Sequence, residues 1–213
     1  MPDMIYDEER GLYAVANGGE SELDTVFMIG DSIRMGYFPY VRQKLEGKLR
    51  LIAPEENCRY TQYTYTCLAE WKNLCLDPDK VRLVYWNNGH WDIAHWDGAA
   101  ESLNSVSQYA RMLVRIHHRL RRYFPKAKVI FAATTPNNPD GSVGINPRTN
   151  AEVETYNQAA RETLAPLGVQ FDDLYSLLAA CPPEAYADYC HLKPEKFREL
   201  GDHVASIILA NIF

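Results

Sequence analysis

No stretch of this chain stays apolar long enough to cross a bilayer, and none of its five cysteines stands in the Cys-x-x-Cys spacing of a metal knuckle. Cys58, Cys67, Cys75, Cys181 and Cys190 would leave one over if they paired, so reduced thiols are expected. Basic residues are also in short supply. With 22 Lys and Arg against 28 Asp and Glu the net charge is −6, which excludes general nucleic-acid binding, because neutralising phosphates needs a clustered cationic excess. The one basic cluster, His117 to Arg122, falls late in an amphipathic stretch and reads as a solvated face favourably placed against the helix dipole. The first residues carry neither a basic run nor an apolar one, so no secretory signal is read and a cytoplasmic location is expected. No internal period divides the 213 residues, which suffice for one domain with a full core.

What is there alternates. Apolar, partly β-branched runs at Thr25–Ile29, Leu49–Ala53, Val81–Trp86, Lys128–Ala133 and Val169–Phe171 read as strands. Between them lie stretches of helical spacing: from Ser32 to the stop at Gly47, from about Thr61 to Leu76, and from Ser102 to Tyr123 before Pro125. Further helices are read at Ala151–Leu164, at Leu174–Ala180 and, led by Pro194, to about Ile212. Strands and helices in this order mean a parallel sheet covered on both faces. Residues 1–23, acidic and carrying Gly18-Gly19, are read as a surface arm with a short strand at Gly11–Val15, able to cover a sheet edge or a neighbouring subunit; residues 24–213 are read as one catalytic domain.

The first strong strand ends abruptly in Gly30-Asp31-Ser32, which delivers a small hydroxyl to the carboxyl end of a strand, where open α/β sheets bind ligands. Such a serine can also be no more than a helix N-cap. Near the other end of the chain, Asp188 and His191 stand three residues apart, between Pro182-Pro183 and Pro194. Acyl-group hydrolysis by serine needs a nucleophile, an imidazole to take its proton, an acid to orient the imidazole, and donors aimed at the developing oxyanion. Ser32, His191 and Asp188 fill the first three roles.

Together, Gly30-Asp31-Ser32 after an N-terminal strand and Asp188-x-x-His191-Leu192 before a C-terminal helix resemble the SGNH hydrolases, also called GDSL esterases. The resemblance implies a flavodoxin-like three-layer α/β/α sandwich with a central parallel sheet of about five strands, and a serine esterase that needs no metal or other cofactor. It also implies an oxyanion hole built from the Ser32 amide, a second-block amide and a third-block asparagine. The second block here, Glu56-Asn57-Cys58-Arg59, has no glycine, so Arg59 would supply that amide. The third, Asn87-Asn88-Gly89-His90-Trp91-Asp92, resembles a branch with an Asn-x-Gly-x-x-Asp pattern and points to Asn87 as side-chain donor, with Asn88 as the fallback.

Around this frame Asp31, Asn57, His90 and Trp91 are expected to meet the substrate. Each has a plainer reading as well. Asp31 can bond nearby amides; Asn87 and Asn88 can form a turn; Asn57 and Arg59 can tie two loops together, or Arg59 can meet an anionic group. Trp91 and Trp96 can stack on a sugar or cover the core. His90 and His95 lack a third ligand at metal spacing, and Cys190 beside His191 is expected to point away from it. The expected partner is a small-molecule ester, with short O-acyl (acetyl) groups on a carbohydrate or similar polar compound as the substrate; neither nucleic acid nor membrane is expected, and a homo-oligomer is left open. Acyl transfer through the same triad, or a non-catalytic binding module on the same fold, are the alternative functions.

Overall fold

A computed structural model describes residues 4–7, 12–15, 23–141, 144 and 146–213. Strands β1 (Met4–Asp7) and β2 (Leu12–Val15) pair antiparallel in a two-stranded sheet of their own. The strand expected at Gly11–Val15 is thus found from Leu12, and the remainder of the expected arm, residues 1–3, 8–11 and 16–22, lies outside the described residues.

Five parallel strands make the main sheet: β3 (Thr25–Ile29), β4 (Arg50–Ile52), β5 (Val81–Trp86), β6 (Lys128–Ala132) and β7 (Gln170–Asp172). Their spatial order is β4-β3-β5-β6-β7. Counted along the sheet-forming strands this is 2-1-3-4-5, the flavodoxin-like order, in which the direction of winding reverses between the first and third strands. Here that switch point lies between β3 and β5, which pair in register from Val26 opposite Leu83 to Ile29 opposite Trp86.

Every residue of β3 is buried, because helices cover both faces of the sheet. The period-two alternation sends Phe27 and Ile29 into one core layer and Val26 and Met28 into the other. The first layer packs under α2 (Thr61–Trp71), α4 (Val106–Tyr123) and α5 (Asn150–Leu164), through Leu68, Leu113, Ile116 and Val153. The second packs under α1 (Ser32–Leu45) and α7 (Pro194–Ile212), through Tyr37, Val41, Val204 and Ile208. At Gly201 a Cβ would stand 2.7 Å from the Cβ of Tyr40, so only glycine lets α1 and α7 approach this closely. That contact matters for the site, because both helices begin on the side where the strands end.

Two short helices complete the set: α3 (His90–Ile93), a single turn where sequence reads only a loop, and α6 (Leu174–Leu178). Helix α4 starts at Val106 rather than Ser102. Ser105 accepts from the Gln108 amide while the Gln108 side chain accepts from the Ser105 amide, and this capping box fixes the boundary. In the basic stretch, His118, Arg121 and Arg122 are exposed as expected, whereas His117 turns inward and is buried. No helix among the described residues is long and apolar enough to cross a membrane.

Candidate active site at the switch point

Ser32 is the first residue of α1, at the carboxyl end of β3. The cap of that helix is Asp31, whose Oδ1 accepts the Ile33 amide at 3.0 Å. The N-cap reading therefore belongs to Asp31 and not to Ser32. Asp31 has no exposed surface, so the expectation that it meets substrate is corrected: its carboxylate serves the helix. Burial raises its pKa, against the Ile33 amide, Asn87 and the charges of Arg148 and Arg34.

Freed from capping, the Ser32 hydroxyl lies 2.7 Å from His191 Nε2, across 159 residues of sequence, and donates to it when the ring is neutral. On the other side of the ring, His191 Nδ1 donates to Asp188 Oδ2, also at 2.7 Å. The loop that presents this pair is rigid by local means. Asp188 Oδ1 accepts the amides of Cys190 (2.8 Å) and His191 (2.7 Å), and the Ala187 amide donates to the His191 carbonyl. Tyr186 bridges Leu192, and the Asn138 amide holds the Tyr189 carbonyl. Burial raises the Asp188 carboxyl, but the Cys190 and His191 amides and the imidazole outweigh it and leave the pKa lowered. The imidazole is raised to about 9, by the Cys190 side chain first and by Asp188 as well, against burial.

The expected oxyanion donors fall into two groups. Asn87 follows the last residue of β5 with its amide on the Ile29 carbonyl (3.0 Å), and its carboxamide packs directly on Gly30. A Cβ at Gly30 would lie 2.0 Å from Asn87 Oδ1, so only glycine leaves room for this carboxamide beside Asp31, whose carboxyl it helps to stabilise in the charged form. The Ser32 amide, at the free N-terminus of α1, has no hydrogen-bond partner among the described residues and carries the positive end of the helix dipole.

Asn88 is different. Its Nδ2 donates to the Arg59 carbonyl (2.8 Å) and to Thr64 Oγ1 (2.9 Å), and its Oδ1 accepts from Trp86 Nε1 (2.7 Å). With both amide protons engaged and no exposed surface, Asn88 is not the donor it was offered as; it fastens the Arg59 loop to β5. Arg59 holds the left-handed conformation, φ 51°, in the place where the resemblance expects glycine. Its amide donates to Asn57 Oδ1 at 2.9 Å. Asp92, fully buried, accepts from the amide and hydroxyl of Thr61 and from Asn104, and anchors the same loop from behind. Burial raises its carboxyl to about 7.

His90 is buried and bonded at both ring nitrogens: Nδ1 accepts from Arg148 Nε (3.1 Å) and Nε2 donates to Thr135 Oγ1 (3.1 Å). Burial and the Arg148 charge hold it well below the ordinary histidine pKa. Neither nitrogen is left for a ligand, so His90 supports Arg148 in place of touching substrate. His95 instead pairs with Glu152 at 2.6 Å. Trp91 remains partly exposed, its ring 5.2 Å from that of Trp96. Cys190 does not point away from His191 as expected: the turn made by the Asp188 carboxylate brings its buried sulfur to 3.7 Å from Nδ1, where it also takes Arg148 Nη2 at 3.4 Å, while Nε2 points to Ser32. Asp188, Cys190 and His191 offer ligand-type atoms within 4.8 Å of one another, the one such group among the described residues, but the arginine at the sulfur puts a positive charge where a cation would sit. Arg148 and Thr135 had no signal in the sequence, because only the folded loops bring them beside residues 42 and 45 positions away.

The sequence profile of the GDSL-like lipase/acylhydrolase family matches residues 28–195. No curated protein sequence matches closely enough to count as a relative. Among solved structures, a lipase/acylhydrolase from Enterococcus faecalis superposes with a TM-score of 0.69 at 16% identity, covering 87% of this chain and 95% of that one. An acetyl xylan esterase gives 0.69 at 16% identity, covering 86% and 99%, and a carbohydrate acetylesterase from Sinorhizobium meliloti gives 0.66 at 15%, covering 87% and 98%. At these identities the likeness is one of fold.

Proposed function

The chain belongs to the GDSL-like lipase/acylhydrolase family and is an ester-hydrolysing serine hydrolase; on that premise we propose that Ser32 is its nucleophile, His191 its general base and Asp188 the acid that orients the base. The observation that carries this is the unbroken relay from Ser32 Oγ through His191 to Asp188, with both links at 2.7 Å. As Ser32 Oγ attacks the ester carbonyl, its proton passes to His191 Nε2, and the imidazolium is stabilised by Asp188. The carbonyl oxygen becomes an oxyanion, met by the amides of Ser32 and Arg59 and by the Asn87 carboxamide. His191 then protonates the leaving alcohol, which leaves an acyl group on Ser32. A water molecule that gives its proton to His191 releases the acid and restores the serine. The Arg59 amide joins only when the Asn57 carboxamide turns off it, since the two are bonded at rest.

The substrate is a short O-acyl, in particular acetyl, ester of a carbohydrate or similar polar compound. The partly exposed Trp91 and Trp96 beside the strand ends offer ring faces of the kind sugars stack on, and two proteins that share the fold are described as an acetyl xylan esterase and a carbohydrate acetylesterase. Ser32→Ala should abolish hydrolysis of 4-nitrophenyl acetate with the circular dichroism spectrum and Tm unchanged. A mutant that keeps its rate removes Ser32 from the reaction.

A further inference from the structure

Arg59 combines features that a loop-tying residue does not need. At rest its backbone is tied on both sides, the amide to Asn57 Oδ1 and the carbonyl to Asn88 Nδ2. Its planar guanidinium is fixed too, 4.7 Å from the ring centre of Tyr63 and 5.8 Å from that of Trp91. Yet the residue is exposed, and its guanidinium has no hydrogen-bond or ion-pair partner among the described residues. The side chain also stands on a left-handed backbone, φ 51°, that glycine would adopt without cost. The loop it stands on is joined to the serine's strand end by the Cys58 amide on the Gly30 carbonyl at 3.1 Å, and a strained non-glycine residue there points to a use for its side chain.

On the other flank stands a second guanidinium, Arg148, nine-tenths buried, 4.8 Å from the centre of the Tyr189 ring and bonded to His90 Nδ1 and Cys190 Sγ. It forms no ion pair with a carboxylate among the described residues, and Asp31, whose carboxyl feels its charge, is buried under the helix start. In a chain with a net charge of −6, the Ser32 site is therefore bordered by two cations.

We propose that Arg59 recognises a carboxylate carried by the substrate, so that the enzyme acts on acyl esters of acidic compounds such as carboxylate-bearing sugars. A guanidinium with its carbon 4.7 Å and 5.8 Å from two ring centres and its N–H groups unpaired among the described residues has donors to spare, and its fork matches a carboxylate's two oxygens. Because the recognition group and the Arg59 amide belong to one residue, the anion is held at a set distance from the reacting carbonyl. Arg148 adds to the attraction, and Trp91 and Trp96 take the ring of the substrate. The inference rests on the reading of Ser32 as nucleophile, and its test separates the two.

The test uses a matched pair of acetyl esters, 4-acetoxybenzoate and its neutral methyl ester. Arg59→Gly keeps a backbone suited to φ 51° while removing the guanidinium. The expected result is a fall of about tenfold or more in the charged-to-neutral ratio of kcat/KM, the scale of one charge-assisted hydrogen bond, carried mainly by KM for the charged ester. Arg59→Lys should recover part of the ratio, and added salt should lower it in the wild type. Calorimetry on Ser32→Ala, with and without Arg59→Gly, reads the same preference as binding alone. If Arg59→Gly lowers both esters equally, or if binding to Ser32→Ala shows no preference for the charged ester, the anion site is overturned. If Ser32→Ala still hydrolyses both esters, the nucleophile is wrong, while the binding preference still decides Arg59.

Discussion

Asp31 caps the helix that Ser32 begins: its Oδ1 takes the Ile33 amide at 3.0 Å, and the serine hydroxyl, spared that duty, reaches His191 Nε2 at 2.7 Å. Adjacent residues thus share out two tasks that either could perform chemically. Replacing Asp31 by Ala should therefore lower stability, by about 1 kcal/mol for the lost cap, and should also cost activity, because the uncapped first turn would compete for the Ser32 hydroxyl. Denaturant unfolding and ester hydrolysis on the same variant check both effects.

Asn87 and Asn88 are neighbours in sequence with opposite employment. Asn87→Ala should lower kcat by about two to three orders of magnitude, as expected for loss of an oxyanion donor, with little change in Tm. Asn88→Ala leaves Trp86 Nε1 without a partner in a buried site and the Arg59 carbonyl without one in a part-buried site. It should cost about 1–3 kcal/mol for each stranded group, read as a clear fall in Tm. Thermal unfolding beside kinetics separates the two residues.

The pH profile should carry the mark of Cys190. As the proposed base His191 can accept a proton only when neutral, and its pKa is raised to about 9, first by the Cys190 side chain and then by Asp188. The acid limb of kcat/KM should accordingly lie above the ordinary histidine value, and Cys190→Ala should move it to lower pH. The same shift has a stability consequence of fixed sign. Because the fold favours the imidazolium, the contribution is fully present below about pH 6.5, the unfolded value, and is lost as pH rises through about 9.

Asp92 should show itself in stability. Its buried carboxyl is raised to about 7 from an ordinary 3.8, so protonation favours the folded state: its contribution is present below pH 3.8 and lost as pH rises through about 7. Asp92→Asn, which cannot ionise, should flatten the fall in stability over that window. Chemical denaturation at several pH values measures it, and an unchanged pH dependence would remove Asp92 from this role.

Gly30→Ala should damage both fold and site, since the added methyl would meet Asn87 Oδ1 at 2.0 Å and Arg34 Cβ at 2.6 Å. The expected result is a loss of activity larger than the loss of stability explains, because the carboxamide displaced is the proposed oxyanion donor.

Sequence by itself determined the layered architecture and the ends of the relay. Strands such as Val81–Trp86 and the long helix to Tyr123 declare themselves by period and by their stops, since burial on two faces or one leaves its pattern in the residues that must be buried. Ser32, Asp188 and His191 were legible for a related reason: each sits beside a break in such a pattern, at the end of β3 or in the proline-flanked loop before α7. Tertiary structure alone decided who bonds whom. It gave the helix cap to Asp31, engaged both protons of Asn88, turned His90 away from any ligand, and brought Arg148 to Cys190. Those outcomes depend on hydrogen-bond partners drawn from distant loops, and a polar residue's type fixes how many bonds it can make but not which of several nearby groups will take them.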